Sequence, residues 1–312
     1  MIFMEQKQES MREWVGSALL ELGASNRGLV VVGADTTESL SLKPFGERFP
    51  GRLFNVGIAE QDMIGISSGL ALYGKTVFCG TYAVFIERAI DQIRNTIGYC
   101  NLDVKIIGAH TGLSVGPDGG SHQTIEDIAI MRAIPNMKVV VPSDSYSAGA
   151  LTREMAITKG PFYIRLIRSA VPNLYKDQKI SVGKANVLTE GNDVAIIACG
   201  IMVHEAIKAA DRLRAHGIYA RVIDCHTIKP IDEDTIIKAA KETGRIVTAE
   251  DHNMYGGLGS AVAELLSRKR PTMIEMVAVK DEFGESGSGA EVMAKHGITE
   301  KEIFEKAKGM MG

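Results

Sequence analysis

The sequence predicts two open α/β domains in tandem, on three observations. First, short runs rich in Val and Ile recur along the 312 residues: GLVVVGAD, KTVFCGTY, VKIIGAH, KVVVPSD and FYIRLIR, then DVAIIACG, ARVIDCH, RIVTAED and TMIEMVAV. They are apolar without alternation, so each strand is buried on both faces, the signature of a parallel sheet covered by helices. Second, helix-period segments lie between them, at Met11–Leu22, Gln61–Leu72, Ala89–Tyr99, Ser145–Thr158, Val203–His216 and Ser260–Arg268. The resulting β-loop-α alternation is the pattern of an α/β fold. Third, the pattern lapses at residues 172–193, PNLYKDQKISVGKANVLTEGND, which is polar and turn-rich. A linker there gives a first domain over residues 1–178 and a second over 179–312, each large enough for its own core.

Composition excludes several classes. Hydrophobic residues are 45% and charged residues 23%, and the formal net charge is -3. These are ordinary values for a globular protein and give no reason to expect a nucleic-acid or membrane surface. The one tight basic cluster, SRKRP at 267–271, reads as a solvated helix end. Cys79, Cys100, Cys199 and Cys225 make no CxxC pair and no metal spacing. No apolar run approaches the roughly 20 residues of a membrane span. The opening stretch MIFMEQKQESMREW lacks the order of a signal peptide. A cytoplasmic protein with reduced cysteines is expected.

In open α/β sheets ligands gather beyond the carboxyl ends of the strands. In the first domain those ends offer Asp35 after VVVGA, Tyr82 after VFCGT, His110 after KIIGA, and Arg168 after YIRLI. In the second they offer Cys199-Gly200, Asp224-Cys225-His226 and Glu250-Asp251-His252. The most unusual stretch is AHTGLSVGPDGGSHQTIED, which leaves a strand at His110 and runs through four glycines and a proline. It presents Asp118 and His122 and enters a helix at about Thr124. Glycines let a backbone bend sharply and approach a ligand closely. The same composition also serves an ordinary surface loop with turn and cap residues. Two histidines and an aspartate there suit a polyhydroxylated or charged substrate, Asp118 accepting and the histidines donating. A calcium loop is excluded, because the alternating oxygen ligands are missing.

Glu60, in FNVGIAEQDMIG, opens a helix. An acid there is favoured by the helix dipole without any chemistry, and the same field opposes a raised pKa. Tyr82 and Phe85 are three apart in GTYAVFIERAIDQIR, on one face if helical. Such a pair is either core or a flat wall for a heteroaromatic ring. Arg12, Ser39, His110 and Arg168 suit an anion jointly, but nothing local in the sequence brings them together. EDHNMYGGLGSAVAELL has Gly257 and Gly259 but Val262, so it fails the dinucleotide fingerprint, and no GxxxxGK[ST] occurs.

In order, GIAEQDM, GTYAVFIERAIDQIR, the Gly108–Asp144 stretch with GPDGGSHQ, and YIRLIRSAVP resemble the pyrimidine-binding half of transketolases. DVAIIACG through DHNMYGGLGSAV resembles their C-terminal domain, so the resemblance covers essentially the whole chain. It implies a thiamine-diphosphate-binding pyrimidine domain followed by a transketolase C-terminal-like domain. Glu60 then matches the glutamate that hydrogen-bonds an aminopyrimidine ring nitrogen and drives the proton traffic of the cofactor. Phe85 matches the stacking aromatic, with Tyr82 beside it and Asp35 near the cofactor. His122 matches the histidine near the reacting carbon, and Asp118 the aspartate that reads a sugar hydroxyl. His110, Arg168, Arg12 and Ser39 match residues that hold the distal phosphate. The planar, permanently charged guanidinium suits that task.

There is also a departure. The family's GDG motif and paired asparagines, which hold the diphosphate and its divalent metal, are missing from the chain. No metal ligands are therefore expected here. Mg2+ (or Ca2+) is expected on a separate diphosphate-binding N-terminal subunit, in an α2β2 assembly active only when complete. The expected reaction is transfer of a two-carbon ketol unit between sugar phosphates. The competing readings are a subunit of a deoxyxylulose-phosphate-synthase-like or 2-oxo acid dehydrogenase enzyme, or a non-catalytic assembly subunit. His110-Thr111 and the GPDGGSHQ loop favour transketolase over the first two. Intact Glu60, Phe85, Asp118 and His122 argue against the third.

Overall fold

The computed structural model describes residues 7–312; the first six residues of the opening stretch lie outside it. Two compact units form, each with its own sheet. Among the described residues the first comprises 7–111 and 133–182, the second 112–132 and 183–312. The linker expected at 172–193 therefore falls where the chain passes from one unit to the other. The glycine-rich stretch after Thr111 belongs with the second unit, which local sequence pattern did not reveal.

In chain order the first unit begins with β1 (Gln8–Glu9), α1 (Met11–Ser25), β2 (Leu29–Gly33), α2 (Lys43–Arg48) and β3 (Leu53–Asn55). It continues through α3 (Glu60–Leu72), β4 (Thr76–Tyr82), α4 (Ala83–Ile86), a 3-10 turn, α5 (Ile90–Gln92), a π turn (Ile93–Gly98) and β5 (Val104–Ala109). The helix expected over Ala89–Tyr99 is thus broken into short pieces of different pitch. The excursion into the second unit carries α6 (Asp127–Ala133), which starts three residues later than expected, and the chain returns with β6 (Lys138–Val140), α7 (Ser145–Ile157), β7 (Phe162–Leu166) and β8 (Val171–Pro172). The six main strands lie in the order β6-β7-β5-β4-β2-β3, all parallel. β2, β5 and β7 are buried at every position, as continuous apolar runs require. Burying each such side chain stabilises by roughly 1.5–3 kcal/mol. From β2 the chain moves to β3 on one side, then to β4 and β5 on the other. The switch point, where a crevice opens beyond the strand ends, therefore lies at β2 and β4.

In the second unit come β9 (Asn186–Thr189), β10 (Val194–Ala198), α8 (Met202–Ala215), β11 (Ala220–Asp224), β12 (Thr227–Lys229), α9 (Glu233–Thr243), β13 (Arg245–Asn253), α10 (Leu258–Lys269), β14 (Met273–Val279), α11 (Gly289–Lys295) and α12 (Glu300–Gly309). Its sheet runs β14-β13-β10-β11-β9. The edge strand β9 is antiparallel to β11 and the rest are parallel. β9 lies within the segment read as linker: it is only half-buried and lacks an apolar run, so no strand signal marked it. Among the described residues no helix is long and apolar enough to cross a membrane.

Candidate active site

The strand ends of the first unit gather most of the residues singled out by sequence. Glu60 is the first residue of α3 and is 3% exposed. Its Oε2 is buried and meets no hydrogen-bond partner among the described residues. The bland alternative, a solvated helix-starting acid, does not describe a carboxylate in this position. A buried carboxylate oxygen without a donor is costly and calls for a reason.

Tyr82 ends β4 and Phe85 lies in the helical turn that follows. Their rings stack at 5.4 Å between centroids and 20° between planes. The register of β4 with β5 sets Tyr82 opposite Ala109, which brings in a third ring that the sequence left apart. His110 stacks on Tyr82 at 3.9 Å and 28°. His110 is buried and has φ +56°, a left-handed conformation unusual for a side-chain-bearing residue. Asp35, two residues past β2, has φ +59°. Two non-glycine residues in this conformation thus follow the strands on either side of β4 and turn the backbone out of regular structure there.

Asp35 is held by Asn55, a residue the sequence reading missed. The Asn55 Oδ1 accepts from the Asp35 N–H at 2.9 Å and from the Gly57 N–H at 3.2 Å. One side chain thus ties the end of β2 to the segment leading into Glu60. Its only sequence signal is a polar residue closing the strand LFN.

Arg12, Ser39 and Arg168 do come together, in a particular way. Arg12 donates to the Ser39 carbonyl at 2.6 Å and to the Arg168 carbonyl at 3.0 Å. Its terminal nitrogens are therefore engaged with backbone, while Nε is buried without a partner. Burial, assisted by the nearby Arg168 charge, holds its pKa below the usual guanidinium value, and Tyr82 and Glu13 offset part of this. Arg12 fastens the loop at Ser39 to the end of β7, and the guanidinium of Arg168 follows that fixed strand end.

Asp118 and His122 lie in the stretch that packs with the second unit. Asp118 is exposed and His122 half-buried. Positive φ at Gly112 (+74°), Gly116 (+75°) and Gly119 (+77°) shapes their loop. Gly119 N–H donates to the Gly116 carbonyl at 3.0 Å and His122 N–H to the Gly119 carbonyl at 2.9 Å. Two successive turns thus present Asp118 at a tip. The His122 Nδ1 is 3.0 Å from the Ser121 hydroxyl. Among the described residues no group of three or more His, Cys, Asp or Glu is placed to hold a metal ion.

Comparison with known proteins identifies the family of the fold. A family model described as the transketolase pyrimidine binding domain matches residues 7–173, more than half of the chain. The chain belongs to the transketolase family. The transketolase C-terminal domain matches residues 183–303. A putative transketolase C-terminal section from Methanocaldococcus jannaschii is 42% identical over 311 residues, covering 98% of each chain. A 6-deoxy-6-sulfo-D-fructose transketolase subunit from a Clostridium species is 40% identical, covering 95% of this chain and 93% of that protein. A solved split gene transketolase, described as an inactive beta4 tetramer, superposes with a TM-score of 0.90. It is 42% identical and covers 98% of this chain and 99% of its own. The two α/β domains thus match the transketolase pyrimidine and C-terminal domains, the pyrimidine match including residues 112–132 that pack with the second unit.

Proposed function

We propose that this chain is the C-terminal subunit of a split, thiamine-diphosphate-dependent transketolase that moves a two-carbon ketol unit between sugars with an anionic terminus. Glu60 is the observation that carries it. A buried carboxylate oxygen without a donor beside the switch point of a parallel sheet fits a protonated nitrogen of the cofactor's aminopyrimidine. The stacked Phe85 and Tyr82 fit its ring face. When bound, the cofactor supplies the stabilised carbanion equivalent that ketol transfer needs and that no side chain provides.

The chain's own residues do the rest. Glu60 holds a proton at Oε2 between itself and the ring nitrogen. Its burial keeps water from competing for that bond. Phe85 and Tyr82 fix the ring plane, with His110 backing Tyr82 as the third ring of the stack. Asp118 accepts a sugar hydroxyl and His122 donates to oxygen near the reacting carbon. Arg168 meets the anionic terminus, held in place through Arg12. The Clostridium relative is named for a sulfonated sugar, which agrees with selection for an anion rather than for phosphate alone.

A separate chain completes the enzyme by holding the diphosphate and its divalent metal. The surface of α3 supports this. Its buried face carries Met63 and Ile64, yet Leu72 is 74% exposed and the adjoining Tyr73 87%. A Cβ added at Gly65 or Gly69 would meet nothing within 4 Å. Beyond the polar first turn with exposed Gln61 and Asp62, a helix with small and apolar residues on its open face is suited to close packing against another chain. The diphosphate-binding subunit is the occupant we assign. The deciding experiment mixes the chain with the diphosphate-binding half of a split transketolase, thiamine diphosphate and Mg2+. Ketol transfer from xylulose 5-phosphate to ribose 5-phosphate is expected from the mixture and not from the chain alone. Release of carbon dioxide from pyruvate by the mixture, without ketol transfer, would defeat this reading.

A further inference from the structure

We infer that the C-terminal unit sets sugar selectivity, because it clasps the loop that presents Asp118 and His122. This deepens the reading above and rests on its assignment of that loop to the sugar. Three contacts, all within the second unit, make the clasp. Asp251, buried in β13, accepts from the Leu113 N–H at 2.8 Å and the Ser114 N–H at 3.2 Å. A charged acceptor on two backbone donors is among the stronger hydrogen-bond arrangements. It fixes the 3-10 turn Leu113–Val115 from which the loop departs. The Gln123 Nε2, where the loop ends, donates to the Gly116 carbonyl at 3.1 Å and the Glu285 carbonyl at 3.0 Å.

The third contact is backbone against backbone. A Cβ on Gly116 would come within 2.7 Å of the Gly289 nitrogen, and one on Gly289 within 2.7 Å of the Ser114 carbonyl oxygen. A Cβ on Gly120 would come within 2.6 Å of the Gly284 carbonyl oxygen. Two glycine-rich segments, 116–120 and 284–289, therefore lie together with no room for a side chain between them. The strip 284–289 follows β14 and carries exposed residues at 285, 286 and 288. It forms no strand of the sheet and adds little core. Its contact with the loop is its most constrained feature, so Gly284, Gly289 and Asp251 are positioning residues for Asp118 and His122.

The test uses the reconstituted enzyme with Gly289→Ala. The expected result is a fall of about 100-fold in kcat/KM for the preferred ketose phosphate, the scale of a 1 Å misplacement. Discrimination against its hydroxyl epimers should shrink, while thiamine diphosphate affinity by calorimetry stays within about twofold of wild type, since the loop is assigned to sugar rather than cofactor. Gly309→Ala is the control, because a Cβ there meets nothing within 4 Å, and it should leave all three values unchanged. Wild-type sugar kinetics in a folded, cofactor-binding Gly289→Ala enzyme would overturn the proposal.

A second measurement does not depend on catalysis. In Asp251→Asn the amides of Leu113 and Ser114 should exchange hydrogen faster than in wild type, with α8 and α10 unchanged. Asp251→Glu should exchange faster as well, its longer side chain misplacing the carboxylate. Unaltered exchange at Leu113 and Ser114 would remove the clasp itself. Faster exchange together with absent ketol transfer in the wild-type mixture would instead leave the clasp standing and overturn both the transketolase reading and the selectivity inferred from it.

Discussion

The two sheets of this chain end their central strands in the same kinds of residue and use them oppositely. In the first unit the strand ends are left open. Glu60 keeps a buried oxygen without a donor, and Asp35 and His110 sit in left-handed backbone. In the second unit the two acids of β13 are satisfied. Glu250, fully buried in β13, accepts from the N–H groups of Leu258 and Gly259 at 2.7 and 2.8 Å, at the start of α10. Asp251 accepts from Leu113 and Ser114. His252 accepts the Ala129 N–H at Nε2 (3.3 Å) and lies 2.7 Å from the Asn253 carbonyl at Nδ1, which fixes its tautomer as Nδ1–H. A buried polar group points to function when its partner is missing and to structure when its partners are backbone.

The largest expected effect tests the open side. Glu60→Gln keeps the shape and polarity of the side chain but cannot share a proton. In the reconstituted enzyme, kcat should fall by about 10²- to 10⁴-fold, the usual contribution of a positioned acid–base group. Thermal unfolding should stay near wild type, because the substitution breaks no hydrogen bond at Oε2. Turnover within threefold of wild type would place Glu60 with the satisfied acids of the second unit.

Glu250→Ala is the mirror experiment. It strips two buried helix-start N–H groups of their acceptor, which costs about 1–3 kcal/mol for each donor left unmet. A Cβ on Gly257 would collide with the Glu250 carboxylate and come within 2.7 Å of the His252 Nδ1, so the carboxylate fills its space closely. The midpoint of denaturant unfolding should drop sharply, while cofactor affinity of the protein that remains folded stays unchanged. A large loss of turnover per folded molecule with unchanged stability would blur the contrast between the units.

Much of this was legible in the sequence, for a physical reason. Parallel strands are buried on both faces, so they appear as unbroken apolar runs, and the residues closing them are read off directly. Asp35, Tyr82, His110 and Arg168 were all found that way. What the sequence hid depends on contacts distant along the chain. Leu113 meets Asp251 across 138 residues, so the packing of the glycine-rich stretch with the second unit is hidden, while the stretch itself falls within the pyrimidine-domain match. His110 joins the aromatic stack only through strand register, and Arg12 turns its donors to two backbone carbonyls that no motif predicts. β9 has neither alternation nor an apolar run, being an edge strand.

The acid sensitivity of the second unit gives a smaller, pH-dependent test. His226, two residues past β11, is fully buried. Its Nδ1 is 3.1 Å from the Thr227 hydroxyl. Burial lowers its pKa from 6.5 to about 4, with Asp232 opposing the shift. The unfolded chain therefore binds this proton at a higher pH than the folded one. The stability His226 contributes is fully present above about pH 6.5 and is lost as pH falls toward 4, by up to about 3 kcal/mol. His226→Phe should flatten the pH dependence of unfolding across that window and leave ketol transfer at neutral pH intact. A slope equal to wild type would assign the acid sensitivity elsewhere.

The smallest expected effect separates ring from hydroxyl on the open side. Tyr82 stacks with both Phe85 and His110, and aromatic pairs of this kind are worth about 0.5–1.5 kcal/mol. Tyr82→Leu keeps an apolar side chain of similar reach but no flat face. The dissociation constant for thiamine diphosphate should rise by about three- to tenfold, consistent with losing one such contact. Tyr82→Phe retains the face and should change affinity by less than about twofold, since the hydroxyl is not assigned to the cofactor. If Phe and Leu weaken binding equally, the hydroxyl is what matters, and Tyr82 acts on the cofactor as a hydrogen-bonding residue rather than a stacking one. If neither changes binding, the stack is core packing that happens to reach the surface, and Glu60 alone carries the contrast between the two sheets.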